Sequence, residues 1–143
     1  MLVKQISVFL ENKTGRLADA TNCLAEAGID LRAMSVADTA SFGVLRIIVN
    51  DPEQAITALK NCGFTVSTTE VIAVLVPDQP GGLAEVLRVF KEQLIDIEYM
   101  YAFISTFKGQ AIVILKIDDA LRAVNILTEH QVEMIQAQEF YTM

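Results

Sequence analysis

The sequence predicts an α+β protein made of two βαββαβ units in tandem, with antiparallel sheets that are joined or closely apposed. Three observations predict it. A shift of 66 residues lays Thr14–Met34 onto Pro80–Met100. Each copy then runs through strand-like and helix-like apolar patterns in one order. Glycines or turn formers stand where the helices should stop. The match carries Gly15 to Gly81, Leu17 to Leu83, Ala18 to Ala84, Glu26 to Glu92, Ile29-Asp30 to Ile95-Asp96, Met34 to Met100 and Gly43 to Gly109. Two extra residues follow, so Phe64-Thr65-Val66 falls on Val132-Glu133-Met134. Two copies make a tandem pair rather than a solenoid. The expected domains are residues 1–69 and 70–143.

In the first copy, Ile6, Val8 and Leu10 alternate, which predicts a strand over Gln5–Leu10. A helix follows from Gly15 to about Ala27, with Leu17, Ala20, Thr21, Leu24 and Ala27 on one face and Asp19, Asn22 and Glu26 on the other. Gly28 stops it. Asp30–Ala37 and Gly43–Val49 read as a hairpin across "DTASFG". Asp51-Pro52 opens a second helix, where proline at the first turn sacrifices no hydrogen bond. Ala55, Ile56, Leu59 and Cys62 line its inner face. Gly63 ends it, and Phe64–Val76 is extended.

The second copy repeats the plan over Val71–Val76, Gly81–Gln93, Asp96–Ser105, Gln110–Ile117, Asp118–Glu129 and Val132–Gln138. Leu83, Val86, Leu87, Phe90 and Leu94 form the inward stripe of its first helix. Val89 occupies the helical place of Cys23, and both lie at the margin of their stripes. This plan is ferredoxin-like, with both helices of a unit on one sheet face. The strands "VIAVLV" (Val71–Val76), "YMYAFI" (Tyr99–Ile104) and "AIVILKI" (Ala111–Ile117) barely alternate, unlike one-sided antiparallel strands. Their second face should therefore be covered, by another sheet or by another copy of the chain in a homodimer.

Composition narrows the function classes. The 143-residue chain is 52% hydrophobic, enough for a sizeable core, and no apolar run approaches the ~20 residues of a membrane span. The start, "MLVKQISVFLENK", lacks the pattern of a secretory leader, so a cytoplasmic protein without membrane association is expected. A net charge of −7 disfavours nucleic acid, which selects basic surfaces. An RNA-binding sheet of this plan would also need exposed aromatics beside basic residues. Cys23 and Cys62 are the only cysteines. With no CxxC or Cys/His cluster, they read as small apolar residues, with no metal site and nothing to pair them in a disulfide. His130, the single histidine, reads as a helix C-terminal partner or a solvated residue rather than a base. No nucleophile elbow or P-loop is present. No catalytic residue, metal or cofactor is expected, and the protein reads as a non-enzyme.

The polar loops Glu11–Thr14 and Asp78–Pro80 stand between an apolar strand and a helix in each copy. Gly15 and Gly81-Gly82 let backbone approach a ligand. The N–H groups that follow lack helical acceptors and suit a carboxylate. Asn12 and Asp78 offer side chains to an amine, and Asp30 and Asp96, opening the next strand, offer further acceptors. Together these describe an α-amino acid site. The same residues are also ordinary turn formers, with Thr14 a possible N-cap.

"ISVFLENKTGRLADATNCLAEAGIDL" and "VLVPDQPGGLAEVLRVFKEQLIDI" resemble the ACT domain, an amino-acid-sensing module of regulated biosynthetic enzymes. The family pattern is an apolar strand, Asn or Asp, a variable residue, Pro-Gly, a variable residue and Leu. A helix and Gly-(Val/Ile)-(Asn/Asp)-Ile follow. The resemblance covers essentially the whole chain as two units. Thr14 replaces the usual proline in the first copy, and Leu94 the glycine before Ile95 in the second. The resemblance implies a ligand held by the loop and first helical turn against a neighbouring domain's strand. By position, Asn12, Gly15, Arg16, Leu17 and Asp30 would serve one site, and Asp78, Gln79, Gly81, Gly82, Leu83 and Asp96 the other. Met34, Tyr99, Met100 and Tyr101 would select the side chain, unless they are plain core. The second loop is favoured because Pro80 pre-sets the turn and Gly82 removes a side chain from the approach. Lys13 and Arg16 make the first loop more basic, which also suits a carboxylate. The expected protein is thus an amino-acid-binding regulator. The other reading is a regulatory subunit of a separate amino-acid biosynthetic enzyme, like the small subunit of acetohydroxyacid synthase, because "ISVFLEN" resembles that subunit's opening.

Overall fold

The computed structural model describes residues 2–38, 41–103 and 106–143. Its elements are β1 (Val3–Glu11), α1 (Arg16–Glu26), β2 (Leu31–Asp38), β3 (Phe42–Val49), α2 (Pro52–Asn61), β4 (Thr65–Pro77), α3 (Gly82–Glu92), β5 (Tyr99–Ala102), β6 (Gln110–Lys116), α4 (Ala120–Glu129) and α5 (Ala137–Thr142). The chain divides into two compact units. The first is Lys4–Thr69 with Phe140–Met143, and the second is Glu70–Glu139 with the residues up to Val3. No linker separates them, because β4 crosses the boundary as one 13-residue strand.

In the first unit the strand order is β2-β3-β1-β4. β3 runs antiparallel to β1, with Ile6 opposite Ile47 and Val8 opposite Leu45. Since alternate strand residues share a face, this register gathers Ile6, Val8, Leu10, Leu45, Ile47 and Val49 on one side. They pack with Ala20, Cys23 and Leu24 of α1 and with Ala55 and Leu59 of α2. The second unit repeats this with β6 antiparallel to β4 and β5. Its core joins Ile72, Val74, Val76, Val113 and Leu115 to Val86 and Phe90 of α3 and Ala123 and Leu127 of α4.

The repeat extends to the helix ends. α2 and α4 begin at Asp51 and Asp119, whose carboxylates accept the N–H of Gln54 and of Arg122, each at 3.2 Å. Capping of this kind stabilises a helix by about 1 kcal/mol. The same two residues then close the neighbouring helix. Gln54 Nε2 donates to the Ala27 carbonyl at 3.0 Å, and Arg122 Nη2 to the Gln93 carbonyl at 2.9 Å. Each C-terminal carbonyl that its own helix leaves unpaired is thus met by the first turn of the next helix. Beyond α3, Leu94 has φ 56° and is 86% exposed. It occupies the left-handed conformation that Gly28, at φ 73°, takes after α1. The missing glycine is therefore tolerated as a strained surface residue.

Three expectations need correction or fall outside the described residues. Val132–Gln138 is not a strand. It contributes one bridge, Val74 with Met134, flanked by the bonds Leu75 N–H to Glu133 O and Ile135 N–H to Ala73 O, both 2.9 Å. The chain then turns into α5, whose Phe140 is fully buried. The second face of β4 and β6 is buried within a single chain at Val71, Ala73, Leu75, Ile112 and Ile114, whereas β5 leaves Met100 37% exposed. Cys23 and Cys62 form a disulfide between α1 and the end of α2, with Cα atoms 6.6 Å apart. The two inner-face margins meet, which their separation of 39 residues hid in the sequence. The tip of the first hairpin (39–40) and the end of "YMYAFI" with Ser105 (104–105) lie outside the described residues.

Candidate functional site

The two predicted loops differ from the entries of α2 and α4. α1 starts at Gly15 and α3 at Gly81, both at φ 88°, and neither start has a side-chain cap. A left-handed residue there excludes Ser, Thr or Asp in the capping conformation, so Thr14 does not cap α1. In the second loop, Gln79 N–H bonds the Pro77 carbonyl at 2.8 Å and Gly82 N–H bonds the Gln79 carbonyl at 3.1 Å. Gly82 N–H is therefore already spent. The N–H groups of Leu83 and Ala84, in the first turn, point out of the helix without an acceptor in it.

Gly82 serves the loop itself rather than a ligand's approach. A Cβ there would lie 2.1 Å from the Pro77 carbonyl oxygen. Backbone against backbone leaves nothing flexible to move. Gly82→Ala is expected to destabilise the second unit by about 1–3 kcal/mol, read as a lower urea midpoint. An unchanged midpoint would mean that the loop relaxes freely.

Each loop opens on a cleft among the end of one strand, the start of the loop helix, and the turn leading out of the second helix. In the first unit the cleft is about 240 Å³ and is lined by Asn12, Arg16, Phe42, Gly63 and Phe64 among others. Arg16 fills much of it. Its guanidinium lies 4.3 Å from the centre of the Phe64 ring, a cation–π arrangement. It also lies 3.8 Å from Glu11 and 3.3 Å from Asp19. Lys13 is 2.9 Å from Glu11. A hydrogen bond from Lys13, then the charges of Lys13 and Arg16, hold the Glu11 carboxyl below its ordinary pKa. The basic character expected of this loop is thus neutralised by its own carboxylates.

In the second unit the corresponding cleft is about 400 Å³, lined by Leu75, Gly82, Glu85, Arg88, Val89, Gln110, His130 and Val132 among others. A neighbouring hollow of about 330 Å³ lies against Gln79, Pro80, Gly81 and Ala84. Pro77, Gly82, Glu85 and Arg88 border both. No counterpart of Arg16 blocks this cleft, because that position is Gly82. His130 Nδ1 lies 2.9 Å from the Ile126 carbonyl, so its ring ties down the end of α4, as the sequence suggested.

The predicted residues are only partly gathered. Gln79, Gly81 and Gly82 line the second loop's hollow, and Asn12 and Arg16 the first unit's cleft. Leu17 is 39% exposed, and Leu83 packs on the second core. Asp78 is exposed at the rim and lines neither cavity. Asp30 and Asp96 are not beside the loops of their own units. An 11-residue helix carries the chain about 16 Å to the opposite end of the sheet. There the Asp30 N–H bonds Asn50 Oδ1 at 2.9 Å, and its carboxylate pairs with Arg32 at 2.7 Å. Asp96 lines a separate hollow of about 180 Å³ with Asp118, Asp119 and Arg122. Met34 packs against the first core, and Met100 is 37% exposed. Glu85 and Arg88 were missed in the sequence. Their spacing of three and six residues after Gly82 puts them on one helix face above the loop, a signal that was readable there.

The family model for the ACT domain pair matches residues 1–143. The chain belongs to the ACT-domain family. The crystal structure of protein BT0572 from Bacteroides thetaiotaomicron is 38% identical to this ACT pair, with a TM-score of 0.92 over 100% of this chain and 98% of that one. The ligand-free regulatory subunit of aspartate kinase from Thermus thermophilus is 19% identical, with a TM-score of 0.61 over 90% and 93% of the two chains. The corresponding subunit from Thermus flavus is 16% identical, with a TM-score of 0.57 over 88% and 90%. These last two share the ACT-pair fold. A search of curated proteins finds no match. Among the described residues, no helix of the ACT pair is long and apolar enough to cross a membrane, and no cluster of His, Cys, Asp or Glu is placed to hold a metal ion.

Proposed function

We propose that this tandem ACT protein is a non-catalytic amino-acid sensor whose ligand sits at the Asp78–Leu83 loop of the second unit. One observation carries the reading. The two loop helices start uncapped at left-handed glycines, while α2 and α4, in the same units, are capped by aspartates. Of the two loops, the second faces the larger cleft and has Gly82 where the first has Arg16. The ligand's carboxylate takes the N–H groups of Leu83 and Ala84 at the positive end of α3, and draws in the Arg88 guanidinium, which lines the cleft and lies 4.0 Å from Glu92 in the free protein. Its ammonium takes Glu85 or Asp78, since an ammonium out of water needs an acceptor. Gln79, Gly81 and Gly82 shape the loop around it. The Asn12–Leu17 loop, with Asn12, Gly15, Arg16 and Leu17, is the weaker second site.

The setting of such a sensor is a cytoplasmic homodimer or a complex with the enzyme it regulates. Phe9 and Phe42, in edge-to-face contact at 5.7 Å and more than a third exposed, offer apolar surface for either. The fold shared with aspartate kinase regulatory subunits favours an amino-acid biosynthetic enzyme as that partner, but by analogy of fold alone.

A thermal-shift screen of the full chain against the common amino acids tests the reading. An amino acid at 100 times its Kd adds about 2.7 kcal/mol of stability, and one chemical class should stand out. No shift with any of them, or turnover of an amino acid or 2-oxo acid by the purified protein, overturns it.

A further inference from the structure

Two matched positions carry cysteines in the first ACT unit and not in the second. Cys23 corresponds to Val89, and Cys62, two residues before Phe64, to His130, two residues before Val132. In the second unit Val89 and His130 both line the cleft. In the first unit their counterparts are bonded to each other, and neither lines the cleft, which is smaller, about 240 against 400 Å³.

We propose that Cys23 and Cys62 are a thiol–disulfide switch that holds the cleft of the first ACT unit narrow when oxidised and lets it widen when reduced, while the second unit's cleft is the same in both states. The bond is placed for exchange. Cys62 is exposed at the end of α2, whereas Cys23 is 5% exposed in α1. An incoming thiolate therefore approaches the bond from the side of Cys62. The reductant is a dithiol. One of its thiolates attacks Cys62 Sγ, the protein S–S bond breaks, and Cys23 Sγ leaves as a thiolate and takes a proton. The second thiolate of the dithiol then attacks its own sulfur in the mixed disulfide and releases Cys62 as a thiolate, which is also protonated. Two electrons and two protons pass to the protein, and the dithiol becomes a disulfide. In a reducing compartment, bonds of this kind are mostly transient and sensing.

The bond is also placed to act on the cleft. Cys62 ends α2, and only Gly63, at φ 88°, separates it from Phe64. Phe64 carries the Arg16 guanidinium, and Arg16 is the first residue of α1, the helix that holds Cys23. The bridge therefore ties together the two helix segments whose side chains fill the cleft. Arg16 Nε is buried there without a hydrogen-bond partner, so the narrow arrangement leaves one donor unsatisfied. Release of α2 lets Phe64 move off Arg16 and gives that donor water or a ligand anion.

What the widened cleft takes up rests on the amino-acid reading, but the switch itself is tested without ligand. Hydrogen exchange of the full chain is followed by mass spectrometry in oxidised protein and after incubation with excess dithiothreitol. Alkylation reports the state of both cysteines. The expected result is native-state reduction, with faster exchange in peptides covering 12–17 and 63–66 and unchanged exchange in 78–83 and 131–134. The Cys62→Ser variant should match the reduced protein. Three results overturn the proposal: a bridge that is reduced only when the protein is unfolded, reduction without a change at 12–17 and 63–66, or loss of protection throughout the first unit. A failed amino-acid screen with this exchange pattern would sink the ligand reading and leave the switch standing.

Discussion

Removing the Cys23–Cys62 bridge is expected to lower the stability of the protein by about 3–4.7 kcal/mol. The bond closes a loop with a sequence separation of 39 residues. Chain-entropy estimates give about 3 kcal/mol for a 15-residue loop and about 4.7 for one of 100 residues. The Cys23→Ser, Cys62→Ser double variant, compared with oxidised protein in urea, reads the difference as a fall in midpoint with a steeper slope, because the uncrosslinked denatured chain exposes more surface. A typical domain is stable by about 5–15 kcal/mol, so the reduced protein remains folded with a thinner margin. A difference below about 1 kcal/mol would mean that the two helices hold their places without the bond.

Phe140→Ala is expected to cost about 3–5 kcal/mol. Phe140 is fully buried although it belongs to a six-residue terminal helix. A helix that short is unstable by itself, so α5 exists because Phe140 is held. The variant should lose α5 as well as stability. Circular dichroism and a chymotryptic time course of the C-terminus would read that loss. A variant with wild-type stability would make α5 an ornament of the fold.

The bridge and Phe140 mark where the sequence ran out. The strands and helices from β1 to α4 were legible because alternation and 3.6-residue periodicity are local, and Gly28, Gly63 and Pro52 punctuate them. "VEMIQAQEFYTM" offered Val132 and Met134 at strand spacing, and nothing local marks Phe140 as buried. Tertiary contact overrode a weak period. The disulfide was illegible for a related reason. Cys23 and Cys62 each lie at the margin of an apolar stripe, and only the packing of α1 on α2 makes the margins meet. At the candidate site, the glycine loops were legible as turns that leave N–H groups free. Asp30 and Asp96 were placed beside the loops by their likeness to amine acceptors, yet the length of α1 or α3 separates each from its loop. Glu85 and Arg88 lie on the helix face above the loop, outside the loop motif that carries the resemblance.

Isothermal titration with the best amino acid from the screen, on wild type and on the Asp78→Ala, Arg88→Ala and Asn12→Ala variants, tests the central claim most directly. Loss of a charge-assisted hydrogen bond costs about 1.5–3 kcal/mol, or roughly a tenfold to hundredfold loss of affinity. The expected result is a loss of that size for Arg88→Ala and Asp78→Ala and none for Asn12→Ala, with all three variants folded. Weakening by Asn12→Ala alone would place the ligand in the first unit, and full affinity in all three would reduce both loops to turns.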